Sequence, residues 1–167
     1  YATDETVFLS AFWNGVFKSG DGGGNWVPAN NGLTELGNCG QGVHIGGGAQ
    51  WNTIGGDTSG RRNVISNNSW AGVHISGAGT DHNMIIGNYI GTDVTGSTNL
   101  GNSWNGVGIV DGAQRNVIGG ATMGERNVIS GNYLFGVYLG GGGTVNNVVI
   151  GNFIGTDVTG SAALGNR

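Results

Sequence analysis

Short apolar segments bounded by glycine or asparagine recur along most of the chain. Val73–Ile75 and Met84–Ile86 are two of them, and both are very short. Segments of this length that are rich in β-branched residues are typical of short strands. A helix would need a continuous apolar stripe with a period of about 3.6 residues, and glycine at this density would weaken it. The pattern therefore predicts an all-β chain.

An internal repeat dominates the sequence after residue 40. Residues 41–103 align without gaps on residues 105–167 at an offset of 64, and about 38 of the 63 pairs are identical. Arg62–Ser66 matches Arg126–Ser130, and Gly91–Ser97 matches Gly155–Ser161. Self-similarity of this kind indicates a solenoid, in which each repeat packs on its neighbours.

The repeat unit divides further into pieces of about 20 residues, which is a typical length for one unit of a solenoid. Six coils are predicted, and they start at residues 41, 63, 83, 105, 127 and 147. The first residue of each coil carries an amide side chain, and stacked amides would form a structural ladder along the rod. The ladder residues are Gln41, Asn63, Asn83, Asn105, Asn127 and Asn147. The third residue is a β-branched aliphatic that would point inward as a core stack, formed by Val43, Ile65, Ile85, Val107, Ile129 and Val149. Six coils at the spacing of paired strands would give a rod about 29 Å long.

Several strings in the repeat carry a family resemblance. Asn127–Asn132 reads Asn-Val-Ile-Ser-Gly-Asn, Asn105–Val107 reads Asn-Gly-Val, and Ile-Gly-Asn occurs at 86–88 and 150–152. These strings resemble the right-handed parallel β-helix repeats of the pectin-lyase-like superfamily. The resemblance implies a right-handed parallel β-helix over residues 41–167. It does not imply one function, because the architecture hosts lyases, hydrolases, tailspikes and surface proteins.

Residues 1–40 do not follow the repeat and form a second predicted unit. The string Ser19–Trp26 resembles an Asp-box, with Ser19, Asp21, Gly23 and Trp26 at the motif positions. That resemblance implies a structural hairpin in which Ser and Asp cap the turn and Trp packs beneath it. One propeller blade's worth of chain is too little for a propeller. Residues 1–40 are therefore expected to cap the rod of their own chain or to dock on a neighbouring subunit.

Apolar residues near both ends of the chain are candidates for assembly. They are Val7, Phe8, Leu9, Phe12, Trp13, Phe17 and Leu164. The sequence stops at Arg167 without a segment that would cap the last coil. Solenoids need polar caps, and an open strand edge recruits another strand. The expectation is that another subunit covers this end, or that the chain is cut from a longer solenoid.

Composition and charge exclude several classes of protein. Glycine accounts for 38 of 167 residues without a Gly-X-Y period, which excludes collagen. The net charge is −4 with a single lysine, Lys18, so no basic face is available for nucleic acid. No apolar run approaches the roughly 18 residues of a membrane span. Cys39 is the only cysteine and cannot form an internal disulfide, so it is either free or bonded to another chain.

No catalytic or metal constellation is expected. A glycosidase needs two carboxylates in one site, and the ten acidic residues include no Asp-Asp or Asp-x-Asp pair in the coils. The turns containing Asp93 and Asp157 are interpreted as structural turns. His44, His74 and His82 lack the spacing of metal ligands and are interpreted as solvent-facing. No catalytic residue, metal site or cofactor is predicted.

The tryptophans of the repeat give no sign of a binding row at the predicted period. Trp51, Trp70 and Trp104 fall at different positions of the predicted coil. The preferred function is a structural β-solenoid, extracellular or on the cell surface, whose rods stack head-to-tail into a filament. The alternatives are a carbohydrate-binding or carbohydrate-cleaving β-helix from an adhesin or tailspike, and a passive spacer in a larger surface protein.

Overall fold

The computed structural model of the chain describes residues 7–11, 15–19, 27–28 and 40–167. The first three strands are β1 (Val7–Ala11), β2 (Gly15–Ser19) and β3 (Val27–Pro28). They form an antiparallel sheet in the order β1-β2-β3, with Ala11 paired to Gly15 and Lys18 paired to Val27. Ser19 of the predicted Asp-box is the last residue of β2, and residues 20–26 of that motif lie outside the described residues.

Residues 40–167 form three parallel sheets of four strands each. Sheet 1 contains β4 (Val43–Ile45), β7 (Val73–Ser76), β10 (Val107–Val110) and β13 (Val137–Gly140). Sheet 2 contains β5 (Thr53–Gly55), β8 (Met84–Ile86), β11 (Val117–Gly119) and β14 (Val148–Ile150). Sheet 3 contains β6 (Val64–Ile65), β9 (Tyr89–Ile90), β12 (Val128–Ile129) and β15 (Phe153–Ile154). A single 3-10 turn, Ser59–Arg61, lies between β5 and β6 within this region.

Each turn of the chain contributes one strand to every sheet, and these three strands form a rung. Rung 1 is β4–β6, rung 2 is β7–β9, rung 3 is β10–β12 and rung 4 is β13–β15. The predicted parallel β-solenoid is confirmed: the chain makes about three turns from the first rung to the fourth. At about 4.8 Å per rung, the outer rungs are about 14 Å apart.

The predicted count of six coils is wrong. Val43, Val73 and Val107 are successive partners in sheet 1, so one full turn ends at Val73 and the next ends at Val107. These two turns together make up one unit of the sequence repeat. The shorter predicted spacing joins strands on different sheets, because a turn has three sides with a strand on each. The six predicted coil starts therefore precede strands on three sheets, two starts to each sheet.

Four columns of aliphatic side chains fill the interior. Side chains alternate across a strand, so one set in each sheet faces inward. The columns are Val43, Val73, Val107 and Val137; Ile45, Ile75, Ile109 and Leu139; Ile54, Ile85, Ile118 and Val149; and Ile65, Ile90, Ile129 and Ile154. All members in rungs 1–3 are buried, whereas Leu139, Val149 and Ile154 of rung 4 are 43%, 39% and 43% exposed.

The six predicted core-stack residues all lie in these columns, two on each sheet. Five of them are buried, and Val149 is the exposed member because it belongs to rung 4. Within the described residues, no helix has both the length and the apolar character that a membrane crossing requires.

Candidate functional site

Three asparagine ladders run along the corners of the solenoid. The first contains Asn52, Asn83, Asn116 and Asn147. The second contains Asn63, Asn88, Asn127 and Asn152. The third contains Asn68, Asn102, Asn132 and Asn166. In each step the side-chain Nδ2 of one rung donates to Oδ1 of the next rung at 2.7–3.2 Å. Buried amides are satisfied in this way without water, which ties adjacent rungs together.

The predicted ladder residues do not form one ladder. Asn63 and Asn127 belong to the second ladder, and Asn83 belongs with Asn147 to the first. Asn105 lies outside the three ladders, and its Oδ1 accepts a hydrogen bond from the Phe135 backbone N–H at 3.3 Å. Gln41, which precedes β4, is not a member of these ladders either.

Sequence reasoning missed eight ladder members because it used the wrong period. They are Asn52, Asn68, Asn88, Asn102, Asn116, Asn132, Asn152 and Asn166. A signal was available, because five of the eight follow glycine in Gly-Asn pairs. The pairs at 87–88 and 151–152 are part of the Ile-Gly-Asn strings, whose asparagines join the second ladder.

The ladders have a direction. In every step both the backbone N–H and the side-chain Nδ2 of the earlier asparagine donate to Oδ1 of the later one, as Asn83 does to Asn116. Rung 1 is therefore the acceptor end of the ladders and rung 4 is the donor end. At the acceptor end, Oδ1 of Asn63 is the one buried side-chain polar atom of the described residues that has no hydrogen-bond partner.

The last rung of the described chain exposes apolar side chains. Beside the exposed column residues, Val148 and Ile150 of β14 are 46% and 45% exposed. Leu164, a predicted assembly residue, is half-buried, and its carbonyl accepts a hydrogen bond from Gly131 N–H at 3.0 Å. Rung 4 therefore presents apolar surface beside the donor end of the ladders.

The other predicted assembly and Asp-box residues fall in the N-terminal region. Val7, Phe8 and Leu9 lie in β1, Phe17 lies in β2, and Ser19 is the last residue of β2. The remaining predicted residues, Phe12, Trp13, Asp21, Gly23 and Trp26, lie outside the described residues, as does Cys39.

A group of aromatic rings covers the outward side of sheet 1 and the corner before it. Trp70 stacks on Trp104 with ring centroids 4.6 Å apart, and Trp70 also lies 5.1 Å from His74. The His74 ring is 5.4 Å from that of His44. On rung 4, Phe135 and Tyr138 stack at 5.8 Å. These six residues are called the ring surface below.

The expectation that the tryptophans form no row is wrong for two of the three. Trp104 N–H donates to the Trp70 carbonyl at 3.2 Å, so both residues occupy the same position of successive turns. Their spacing is one full turn, which the shorter predicted period concealed. Trp51 lies on a different corner, where it stacks on His82 at 4.3 Å. His82 in turn lies 3.0 Å from the Asp81 carboxylate.

The histidines of the ring surface are shifted toward the neutral form. Burial lowers the pKa of His44 below its usual range. Burial also lowers the pKa of His74, and the neighbouring His44 adds to this shift, whereas Asp111 acts in the opposite direction. Nε2 of His44 lies 3.1 Å from the Ser76 hydroxyl. The two rings therefore act as neutral, polar aromatic groups near pH 7.

The aspartate turns satisfy their own carboxylates. The Asp93 carboxylate accepts hydrogen bonds from the Thr95 hydroxyl at 2.8 Å and from the backbone N–H groups of Ser97 and Thr98. The Thr95 hydrogen bond makes the largest contribution in lowering the pKa of Asp93 to about 2. Asp157 repeats this arrangement with Thr159. Among the described residues, no three His, Cys, Asp or Glu side chains come together in a group that could hold a metal ion.

Comparison of the chain with protein-family models, curated proteins and solved structures gives no match. The resemblance to pectin-lyase-like repeats and to the Asp-box thus stays an interpretation of the sequence. The fold itself is that of a parallel β-solenoid.

Proposed function

We propose that the protein is a structural β-solenoid that stacks end to end with copies of itself, outside the cell or on its surface. The observation that carries the proposal is the exposure of apolar side chains at rung 4. Inward-facing Ile90 of rung 2 is fully buried, whereas Ile154, its counterpart in the second unit of the repeat, is 43% exposed. Apolar patches exposed in this way commonly mark contacts with another protein.

The direction of the ladders supports a head-to-tail arrangement. Rung 4 presents amide donors through Asn147, Asn152 and Asn166, while rung 1 is the acceptor end. A tail-to-tail contact would place donors against donors. A heterologous contact between opposite ends avoids this, and its repetition without ring closure produces a filament.

Rung 1 and rung 4 would contribute differently to this contact, because they differ in exposure. Ile54 and Ile65 of rung 1 are 4% and 3% exposed, so the first rung is already buried within the chain. Residues 1–40 precede this rung and would form the joint between successive rods. This assignment gives the apolar residues of β1 and β2 a role in the contact.

The energy available from rung 4 alone is modest. Burying an aliphatic side chain fully contributes roughly 1.5–3 kcal/mol, so half-exposed residues contribute about 1 kcal/mol each. Leu139, Val148, Val149, Ile150 and Ile154 would together supply about 5 kcal/mol. Association costs about 4–15 kcal/mol in lost freedom. Contacts from residues 1–40 and the ladder amides must therefore add to the apolar term, and assembly should depend strongly on concentration.

Sedimentation velocity and electron microscopy of the full chain test the proposal. Larger species should form as concentration rises, with filaments at the highest concentrations. The double variant Val149→Lys/Ile154→Lys should stay monomeric, because two charges would be buried at the contact. A control variant, Val94→Lys, adds a charge at a site that is already 77% exposed on a side turn and should assemble normally. A wild-type chain that stays monomeric throughout would contradict the proposal.

A further inference from the structure

The ring surface is a second exposed feature, and the end-to-end contact does not account for it. Trp70, Phe135 and Tyr138 are 36%, 54% and 39% exposed. Ring contacts connect Trp70 with Trp104, His74 and His44. Phe135 and Tyr138 form a second pair farther along sheet 1. The ring surface faces sideways from sheet 1, whereas the end-to-end contact lies across the axis. It consists of aromatic rings rather than the aliphatic side chains of a protein core.

Polar atoms at the rim of these rings have no partners within the described part of the chain. The indole N–H groups of Trp70 and Trp104, the Tyr138 hydroxyl and the ring nitrogens of His74 make no hydrogen bond in residues 40–167. Aromatic residues that combine an apolar ring face with a solvent-exposed polar atom are suited to ligands that also combine an apolar face with polar groups. A sugar ring is such a ligand, since its C–H face packs on an aromatic face and its hydroxyl groups exchange hydrogen bonds at the edge.

The charge of the surface selects a neutral ligand. The four strands of sheet 1 contain no Asp, Glu, Lys or Arg. Asp111 directly follows β10 and acts electrostatically on His74, so it would repel an anion at this surface. A polyanion such as single-stranded nucleic acid or a uronate polymer would instead need a basic groove.

Sheet 1 also leaves a gap of one side chain in its outward row. His44, His74, Gly108 and Tyr138 are successive partners in this row, and Gly108 has no side chain. A Cβ atom at Gly108 would lie 3.4 Å from Nδ1 of His74. The residues flanking Gly108 are two rungs apart, or about 10 Å. Because Nδ1 of His74 already borders this position, Gly108 marks a shallow depression in the row between the His74 and Tyr138 rings.

We infer that the ring surface binds a neutral glycan. The sugar rings pack against the parts of the Trp70–Trp104 pair that the mutual stacking leaves exposed, and their hydroxyl groups meet the ring nitrogens of His74 and the Tyr138 hydroxyl. The binding site lies on the side of the rod, so a filament would present one copy of it per subunit.

Calorimetric titration of the full chain tests the inference. The probes are cellohexaose, laminarihexaose and chitohexaose as neutral oligosaccharides, with hexagalacturonate as the acidic comparison. At least one neutral probe should bind, and more tightly than hexagalacturonate. The double variant Trp70→Ala/Trp104→Ala should weaken that binding at least tenfold. Trp51→Ala removes an indole that is 71% exposed on another corner and should leave binding unchanged.

A second measurement needs no variant of the ring surface. N-bromosuccinimide oxidises exposed indoles, and the bound oligosaccharide should protect Trp70 and Trp104 but not Trp51. The Val149→Lys/Ile154→Lys variant should still bind the sugar, which separates this inference from the proposed assembly. The inference is overturned if no neutral probe binds, if hexagalacturonate binds best, or if the tryptophan variants change only the association state of the protein.

Discussion

Rung 2 and rung 4 have nearly the same sequence but different environments. Ile90 and Ile154 are the same residue type at matching positions of the repeat, and their exposed fractions are 0% and 43%. Ile86 and Ile150 differ in the same way, at 8% and 45%. Rung 2 is covered by rungs 1 and 3, whereas rung 4 is covered on one side only. In a solenoid the neighbouring rung, rather than the residue itself, supplies burial.

The largest difference between the two rungs is expected at a glycine. Gly91 has φ +90° and its added Cβ would collide with the Ser130 carbonyl oxygen, whereas at Gly155, with φ +79°, no atom lies nearer than 3.9 Å. Both Gly→Ala changes strain a left-handed backbone by about 1–2 kcal/mol. Gly91→Ala also forces rung 3 away and should lower the unfolding free energy by more than about 4 kcal/mol. Urea unfolding of both variants measures this, and equal losses would contradict it.

The next difference concerns the second asparagine ladder. Asn88 accepts from Asn63 Nδ2 and donates to Asn127 Oδ1, so it is bonded to both neighbouring rungs. Asn152 is bonded to only one, accepting from Asn127 Nδ2. Asn88→Ala leaves buried polar groups on both neighbouring rungs without a hydrogen-bond partner and should lower the unfolding free energy by about 3–4 kcal/mol. Asn152→Ala should lower it by only about 1–2 kcal/mol, because water reaches the groups on rung 4. Chemical denaturation curves give both values. If Asn152→Ala lowered the unfolding free energy more than Asn88→Ala, the expected effect of the second neighbouring rung would be contradicted.

A smaller difference is expected for the aliphatic columns. Ile90→Ala leaves a cavity in a fully buried position and should cost about 3 kcal/mol. Ile154→Ala should cost less than about 1.5 kcal/mol in the monomer. If copies stack as proposed, the cost of Ile154→Ala should rise with protein concentration, because a neighbour then buries this side chain. Thermal unfolding at two concentrations measures the change, with Ile90→Ala as the variant whose cost stays constant.

The smallest expected effect is a pH dependence of stability. It arises from rungs 1 and 2, which carry histidines in the outward row of sheet 1, whereas rungs 3 and 4 carry none there. His44 and His74 have lowered pKa values in the folded chain, and their row continues as Gly108 and Tyr138. Below pH about 6.5 the unfolded chain takes up protons more readily than the folded one, so stability falls as pH decreases. Above that pH the two histidines have no effect.

Unfolding measured between pH 5 and 7.5 should show this slope, and the variant His44→Gln/His74→Gln should reduce it. Asp93, whose pKa is lowered to about 2, contributes stability that is lost only as pH falls below about 3.8. It therefore does not interfere in the measured range. An unchanged slope in the double variant would show that other groups cause the dependence.

The sequence predicted the kind of fold well and its period badly. The β-branched residues chosen as the core stack all face inward, because alternation within a strand is local. The period failed because Val43, Ile65 and Ile85 precede similar turns and look equivalent, although they lie on three different sheets. The residues of a short apolar segment do not determine which of the three sheets the segment joins.

The candidate surfaces show the same limit. Trp70 and Trp104 could be recognised as residues suited to binding, but their stacking depends on the full turn of chain that separates them. Asn88 stands in an Ile-Gly-Asn string, but its place in a ladder depends on Asn63 and Asn127, which lie on the neighbouring rungs. In both cases the sequence gives the residue type, but it does not identify the partner residue on the next turn of the solenoid.

The sequence alone determined that this chain is a parallel β-solenoid with aliphatic columns and amide ladders. Short β-branched segments bounded by glycine and asparagine can bury their side chains only by stacking on similar segments. The tertiary structure alone decided the three-sided turn, the membership of each ladder, the ring surface and the open rung. These depend on which segments pair across a full turn of the chain, and corner geometry and hydrogen bonding between rungs settle that pairing.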